Sequence, residues 1–149
     1  MPVIERSVTT GLPAAVVFDY VADFENIAEW DPGVLAARKV GDGPLAVGTV
    51  FDLDLRYGRR RLQMSYEVIT MERPNLIVLR GDGSRSVAVD RIECIAEPGG
   101  TRVEYRAEIR LRGLLRLAEP FLGGLFASIG DGARDGLARR LSVLEGTPR

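Results

Sequence analysis

Residues 101–112 constrain the fold more than any other stretch of the chain. Thr101, Val103, Tyr105, Ala107, Ile109 and Leu111 alternate with Arg102, Glu104, Arg106, Glu108, Arg110 and Arg112. Successive side chains of a strand point to opposite faces, so the segment predicts a β-strand with one apolar face and one fully charged face. An antiparallel sheet tolerates one wet side, but its apolar side must be covered by another layer. The alternation recurs in Phe51, Leu53 and Leu55 against Asp52, Asp54 and Arg56. It recurs again in Leu62, Met64, Tyr66 and Val68 against Arg61, Gln63, Ser65 and Glu67. From Val34 to Arg112 the period stays at two, with breaks at Asp42-Gly43-Pro44, Tyr57-Gly58, Arg73-Pro74-Asn75, Gly81-Asp82-Gly83 and Glu97-Pro98-Gly99-Gly100. Those turn residues divide the segment into six strands.

The cover is predicted in the C-terminal segment. From Leu114 to Leu144 the apolar positions Leu114, Leu117, Phe121, Leu125, Ile129, Ala133, Leu137, Leu141 and Leu144 step by three and four. That spacing is one stripe of a helix, about 45 Å long if continuous at about 1.5 Å per residue. Pro120 should bend it or end a first piece. Gly123, Gly124, Gly130, Gly132 and Gly136 are costly in a helix, so they mark either close packing of the helix on the sheet or room left for a ligand. At the other end of the chain, residues 3–10 read as an opening strand closed by Gly11. Pro13, with Val16, Val17, Tyr20 and Val21 as a buried face, predicts a short helix. A second short helix over Phe24 to Trp30 stops at Asp31-Pro32-Gly33.

What the chain lacks narrows its chemistry. It has no histidine, which excludes imidazole catalysis and histidine metal sites. Cys94 is the lone cysteine, so no internal disulfide or cysteine zinc cluster is expected, and a reducing cytoplasm fits. The start Met1-Pro2-Val3-Ile4-Glu5-Arg6 has no signal-peptide character, and the apolar run 114–129 is too broken by Arg116, Glu119, Pro120 and Gly123-Gly124 to span a bilayer. With a formal net charge of −1, only Arg59-Arg60-Arg61 beside Gly58 hints at nucleic acid, and a solvated hairpin turn explains that run. No metal and no cofactor are expected, because there is neither a ligand cluster nor a Walker or dinucleotide fingerprint, and Gly130-Asp131-Gly132 sits inside a helical pattern.

Several of these segments carry a resemblance to a known family. Val17-Phe18-Asp19-Tyr20-Val21-Ala22-Asp23-Phe24-Glu25-Asn26, leading to Trp30-Asp31-Pro32-Gly33-Val34, resembles the N-terminal signature of the START-like, polyketide cyclase/dehydrase (SRPBCC) superfamily. Gly48-Thr49-Val50-Phe51, Tyr66-Glu67-Val68, Gly100-Thr101-Arg102-Val103 and the helical stretch from Gly132 to Leu141 agree with it. The opening residues 1–7 are similar to coenzyme Q-binding members. The resemblance covers essentially all of residues 1–149 as one domain. It implies an α+β helix-grip fold: a curved seven-stranded antiparallel sheet around a long C-terminal helix, with two short helices after the first strand. It also implies a cavity between sheet and helix, where members bind lipids, sterols, quinones or polyketide intermediates. Its motifs are turn and core positions, so none designates a catalytic residue.

Strand alternation then gives a candidate lining: Phe51, Leu53 and Leu55; Met64 and Tyr66; Ile77 and Leu79; Val103 and Tyr105. The long helix adds Phe121, Leu125, Phe126 and Ile129, and Trp30 stands at the cavity mouth or caps the core. Each of these is also an ordinary core position. Tyr66 and Tyr105 carry hydroxyls on apolar faces. Asp90 shares one strand face with Ala88, Ile92 and Cys94, alternating with Val87, Val89, Arg91, Glu93 and Ile95, and neither set is plainly polar; facing inward it is a carboxylate of raised pKa and a candidate base, whereas an arginine partner at a sheet edge or a bulge would turn it outward. Three functions remain: binding of a small apolar molecule such as a lipid, quinone or polyketide; a polyketide cyclase or dehydratase using Asp90, Tyr66 and Tyr105; and a protein-interaction module. The oligomeric state is left open, a homodimer among the options.

Overall fold

The computed structural model describes residues 2–146, Tyr57 by its backbone alone. Met1 of the opening motif lies outside the described residues. Strand β1 (Val3–Thr10) is followed by α1 (Ala14–Ala22), a 3-10 turn (Phe24–Asn26) and α2 (Ile27–Trp30). Six strands follow: β2 (Val34–Val40), β3 (Val50–Tyr57), β4 (Arg60–Glu72), β5 (Leu76–Gly83), β6 (Ser86–Glu97) and β7 (Gly100–Leu111). A 3-10 strap (Gly113–Phe121) then leads into α3 (Gly123–Glu145). All seven strands form one antiparallel sheet in the order β1-β7-β6-β5-β4-β3-β2, so the opening strand closes against the last one. This is the helix-grip arrangement that the resemblance implies.

The alternation behaves as read. In β7 Thr101, Val103, Ala107 and Ile109 are buried, and the opposite face is tied by ion pairs such as Arg102–Glu97 (2.7 Å) and Arg106–Glu5 (3.3 Å). Exposed pairs of this kind contribute at most about 1 kcal/mol each, so the apolar side holds the sheet to its cover. That side meets α1, α2 and α3 around Phe18, Phe24, Trp30, Phe51, Ile77, Leu79, Leu137 and Leu141, all buried. Burying one such side chain stabilises the fold by roughly 1.5–3 kcal/mol.

Three expectations need correction. Gly81-Asp82-Gly83 is no turn: it lies inside β5, and the chain reverses at Ser84-Arg85. Gly81 faces Tyr66 and Gly83 faces Met64 across the β4–β5 ladder, and a Cβ on Gly81 would stand 2.6 Å from the Tyr66 ring. The glycines are there to accommodate those side chains. In α1 the buried face is Val17, Phe18, Val21 and Ala22, with Val16 exposed. The C-terminal stripe does not begin at Leu114. A 3-10 strap with Pro120 inside it occupies residues 113–121, and Leu114, Leu117 and Phe121 face solvent, the last 86% exposed.

The helical glycines divide along the same line. A Cβ on Gly136 would run into the Trp30 carbonyl, one on Gly130 would stand 2.6 Å from Ile4, and one on Gly132 would stand 3.2 Å from Pro32. These three bring α3 close to α2 and β1, so close packing explains them. Around Gly123 and Gly124 there is open space.

Candidate functional site

The sheet register sets the polar centre of the site. Asp90 on β6 stands opposite Leu79 of β5 and Ala107 of β7, with Ala88, Ile92 and Cys94 buried on the same face. No bulge turns it outward, and among the described residues no arginine pairs with it; Asp90 is 4% exposed. Its Oδ2 accepts a hydrogen bond of 3.1 Å from the Tyr105 hydroxyl, two positions along β7 from the residue opposite. The Tyr105 ring is fixed edge-on by Trp30, with centroids 5.9 Å apart and planes at 86°.

A second carboxylate reaches the same space. Asp31 ends α2 and closes the Asp-Pro-Gly turn, its Oδ1 accepting the Gly33 N–H at 2.9 Å. Burial raises the Asp90 carboxyl to about 7, further raised by the neighbouring Asp31 charge and opposed by the Tyr105 hydrogen bond. Burial likewise pushes Asp31 up to about 6, against the pull of its backbone hydrogen bond. Tyr105 is held well above its ordinary value by burial and by both carboxylates, so it stays protonated and donates to Asp90. A carboxyl titrating near neutrality beside a phenol donor can hold a polar ligand group in either role, donor or acceptor, and can exchange a proton with it.

The cavity around these groups is small. It measures about 40 Å³, enough for one or two water molecules, and is otherwise lined by apolar side chains including Leu53, Leu55, Tyr66, Ile109 and Ile129. Ile109 also lines a wider, mainly apolar groove of about 400 Å³ between the strap and the β3–β4 hairpin, walled by Leu62, Leu111, Leu115, Leu122, Leu125 and Phe126 and bordered by Arg59, Arg60 and Arg85. Ile109 is therefore a shared wall between the polar pocket and an apolar vestibule.

The candidate lining is thus distributed over three places. Leu53, Leu55, Tyr66, Asp90, Tyr105 and Ile129 surround the inner cavity, and Leu125 and Phe126 belong to the groove. Phe51, Ile77, Leu79, Val103 and Trp30 are core residues beyond the cavity wall, and Met64 is buried against Ser86, whose hydroxyl lies 3.7 Å from its sulfur. Trp30 guards no mouth: it is 2% exposed and caps the core, its indole N–H without a partner among the described residues. Phe121 is the residue to withdraw, because the 3-10 strap turns it to solvent. Sequence reasoning missed Asp31, which it read only as a turn former. The signal was present, in that an aspartate starting such a turn directly after a buried tryptophan is carried inward with it.

A curved antiparallel sheet gripping a C-terminal helix, with a small cavity between them that holds the polar groups of Asp31, Asp90 and Tyr105, defines the helix-grip class of folds. The sequence matches the family described as polyketide cyclase / dehydrase and lipid transport over residues 1–142, and the chain belongs to that family. Among solved structures it is similar to a protein from Thermus thermophilus at 15% identity (TM-score 0.81, covering 97% of this chain and 100% of that one). It is also similar to the Zhui aromatase/cyclase from a Streptomyces species at 13% identity (TM-score 0.77, 95% and 93%). A START superfamily protein from Mycobacterium smegmatis matches at 14% identity (TM-score 0.79, 95% and 98%). At these identities the likeness is one of fold. No curated protein matches the sequence.

Proposed function

We propose that this protein binds a small, largely apolar molecule whose single polar group is held by Asp90, Tyr105 and Asp31. The observation that carries this reading is the convergence of those three groups on one spot of an otherwise apolar space. A few placed polar groups within an apolar lining fix a ligand's orientation while its burial supplies the affinity. The inner cavity alone admits only the polar end. The apolar body then occupies the groove beside Leu125 once the Ile109 side chain turns aside. A quinone, a lipid with a small head or a polyketide-like ring meets these demands, and the family's printed description, which includes lipid transport, supports that range.

The test is the affinity of a hydroxylated aromatic probe such as 1-naphthol. Tyr105→Phe and Asp90→Asn should each weaken binding by about fivefold to tenfold, as for one hydrogen bond of about 1 kcal/mol. Leu125→Trp should fill the groove and abolish binding with the fold intact. Unchanged affinity in all three variants would refute the reading.

A second reading is favoured by one specific observation, the Asp90 carboxyl poised at about 7 against a phenol donor. In a cyclase or dehydratase, ionised Asp90 would remove a proton from an activated carbon and Tyr105 would stabilise the resulting enolate oxygen. A candidate polyketide turned over by wild type, and at least about a hundredfold more slowly by Asp90→Asn with binding retained, would establish it over simple binding.

A further inference from the structure

The strap end of the molecule combines an exposed apolar segment with a group of arginines, three of which, Arg59, Arg60 and Arg85, also border the groove. Leu114, Leu117 and Phe121 are 86%, 73% and 86% exposed on one short segment, which is unusual for three large apolar side chains so close together. The antiparallel order brings the β3–β4 turn at Gly58-Arg59, the β5–β6 turn at Ser84-Arg85 and the end of β7 to this same end of the sheet. Arg59, Arg60, Arg61, Arg85 and Arg116 are exposed there, and among the described residues none has an ion-pair partner. The nearby acids are engaged: Asp82 pairs with Arg112 at 3.2 Å, and Glu119 accepts the Leu111 N–H at 3.1 Å. At the opposite end the turns and the helix terminus carry Asp42, Glu72, Glu97 and Glu145. A chain of net charge −1 thus carries exposed arginines beside exposed apolar side chains at one end, whereas at the other end cations are paired with acids, Arg73 with Asp19 and Arg102 with Glu97.

We propose that the strap end docks on an anionic lipid surface. Leu114, Leu117 and Phe121 enter the headgroup layer, and the unpaired arginines face lipid phosphates. Exposed apolar side chains ringed by cations are the composition of an interfacial anchor, which gains from both shallow burial and attraction to anionic lipid. A second copy of this chain would bring the same uncompensated arginines face to face, so charge favours the membrane over a symmetric dimer. The apolar groove opens beside the strap through Leu115 and Leu122, so docking sets its mouth against the bilayer. Docking itself does not depend on the ligand reading above; only the passage of a ligand between bilayer and groove does.

The test is co-sedimentation of the full chain with phosphatidylcholine vesicles, with and without about 30% phosphatidylglycerol, at low salt and at about 0.5 M salt. Anionic vesicles should be bound at least about tenfold more tightly than neutral ones, and high salt should remove most of the difference. Leu117→Ser/Phe121→Ser and, separately, Arg60→Glu/Arg85→Glu should each lose about tenfold or more, with unchanged thermal unfolding because these side chains are exposed. Equal binding to neutral vesicles, no binding, or insensitivity to both double variants would overturn the proposal. So would a concentration-dependent dimer in light scattering that Leu117→Ser/Phe121→Ser dissolves. Asp90→Asn should leave vesicle binding unchanged, so failure of the cavity reading and failure of docking are read on separate variants.

Discussion

The strap and α3 are adjacent in the chain and carry the same three-and-four spacing of apolar residues, yet one faces water and the other forms the core. Leu117 is 73% exposed, whereas Leu137 is 2% exposed. The difference lies in what stands between the apolar positions. In α3 they are separated by Gly130 and Gly136, which let the helix backbone reach β1 and the end of α2. In the strap Pro120 and the 3-10 winding hold the segment off the sheet, and where α3 begins a Cβ on Gly123 or Gly124 would meet only open space. A periodic apolar pattern thus gives a segment the means to be buried, and small residues at the contact determine whether it is.

The largest effect should come from closing the α3 approach. Gly136→Val drives a branched side chain into the Trp30 carbonyl and should cost about 4 kcal/mol or more, seen as loss of the folded state in denaturant titration. Next, Leu137→Ala should cost about 2–5 kcal/mol while Leu117→Ala changes stability by no more than about 0.5 kcal/mol. Equal costs for the two leucines would erase the distinction between strap and helix.

A third test uses pH. The Asp90 carboxyl is raised from 3.8 to about 7 in the folded protein, so the unfolded chain loses this proton first. Its contribution is fully present below 3.8 and is lost as pH rises to about 7, and Asp31, raised to about 6, acts in the same direction. Asp90→Asn should flatten that decline and be more stable than wild type at pH 8 by on the order of 2 kcal/mol. A wild type that gains stability over this window while the variant does not would contradict the buried carboxyl. The smallest effect is expected at the open glycines, where Gly124→Ala should stabilise by up to about 1 kcal/mol in thermal unfolding.

The sheet was legible in the sequence because its period of two survives for whole strands, but the aim of Asp90 was not, because both faces of its strand carry apolar residues, Ala88, Ile92 and Cys94 on one and Val87, Val89 and Ile95 on the other. Gly81 and Gly83 misled because a glycine that admits a cross-strand tyrosine or methionine looks, in sequence, like a turn. Asp31 was hidden for the opposite reason: its turn is real, and the turn itself delivers the carboxyl inward. The size of the cavity was not legible at all. It depends on how near α3 comes to the sheet, a distance set by contacts of Gly130 and Gly136 with residues more than a hundred positions away.

The central claim is that the polar end of an apolar ligand sits against Asp90, Tyr105 and Asp31. Its most direct test is a titration of the isotopically labelled protein with 1-naphthol, followed by amide and side-chain NMR shifts. The account predicts saturable shifts centred on Asp90, Tyr105, Asp31 and Gly33, extending through Ile109 to Leu125. Saturable shifts confined to the exposed strap, or to the charged outer face of the sheet, would contradict it.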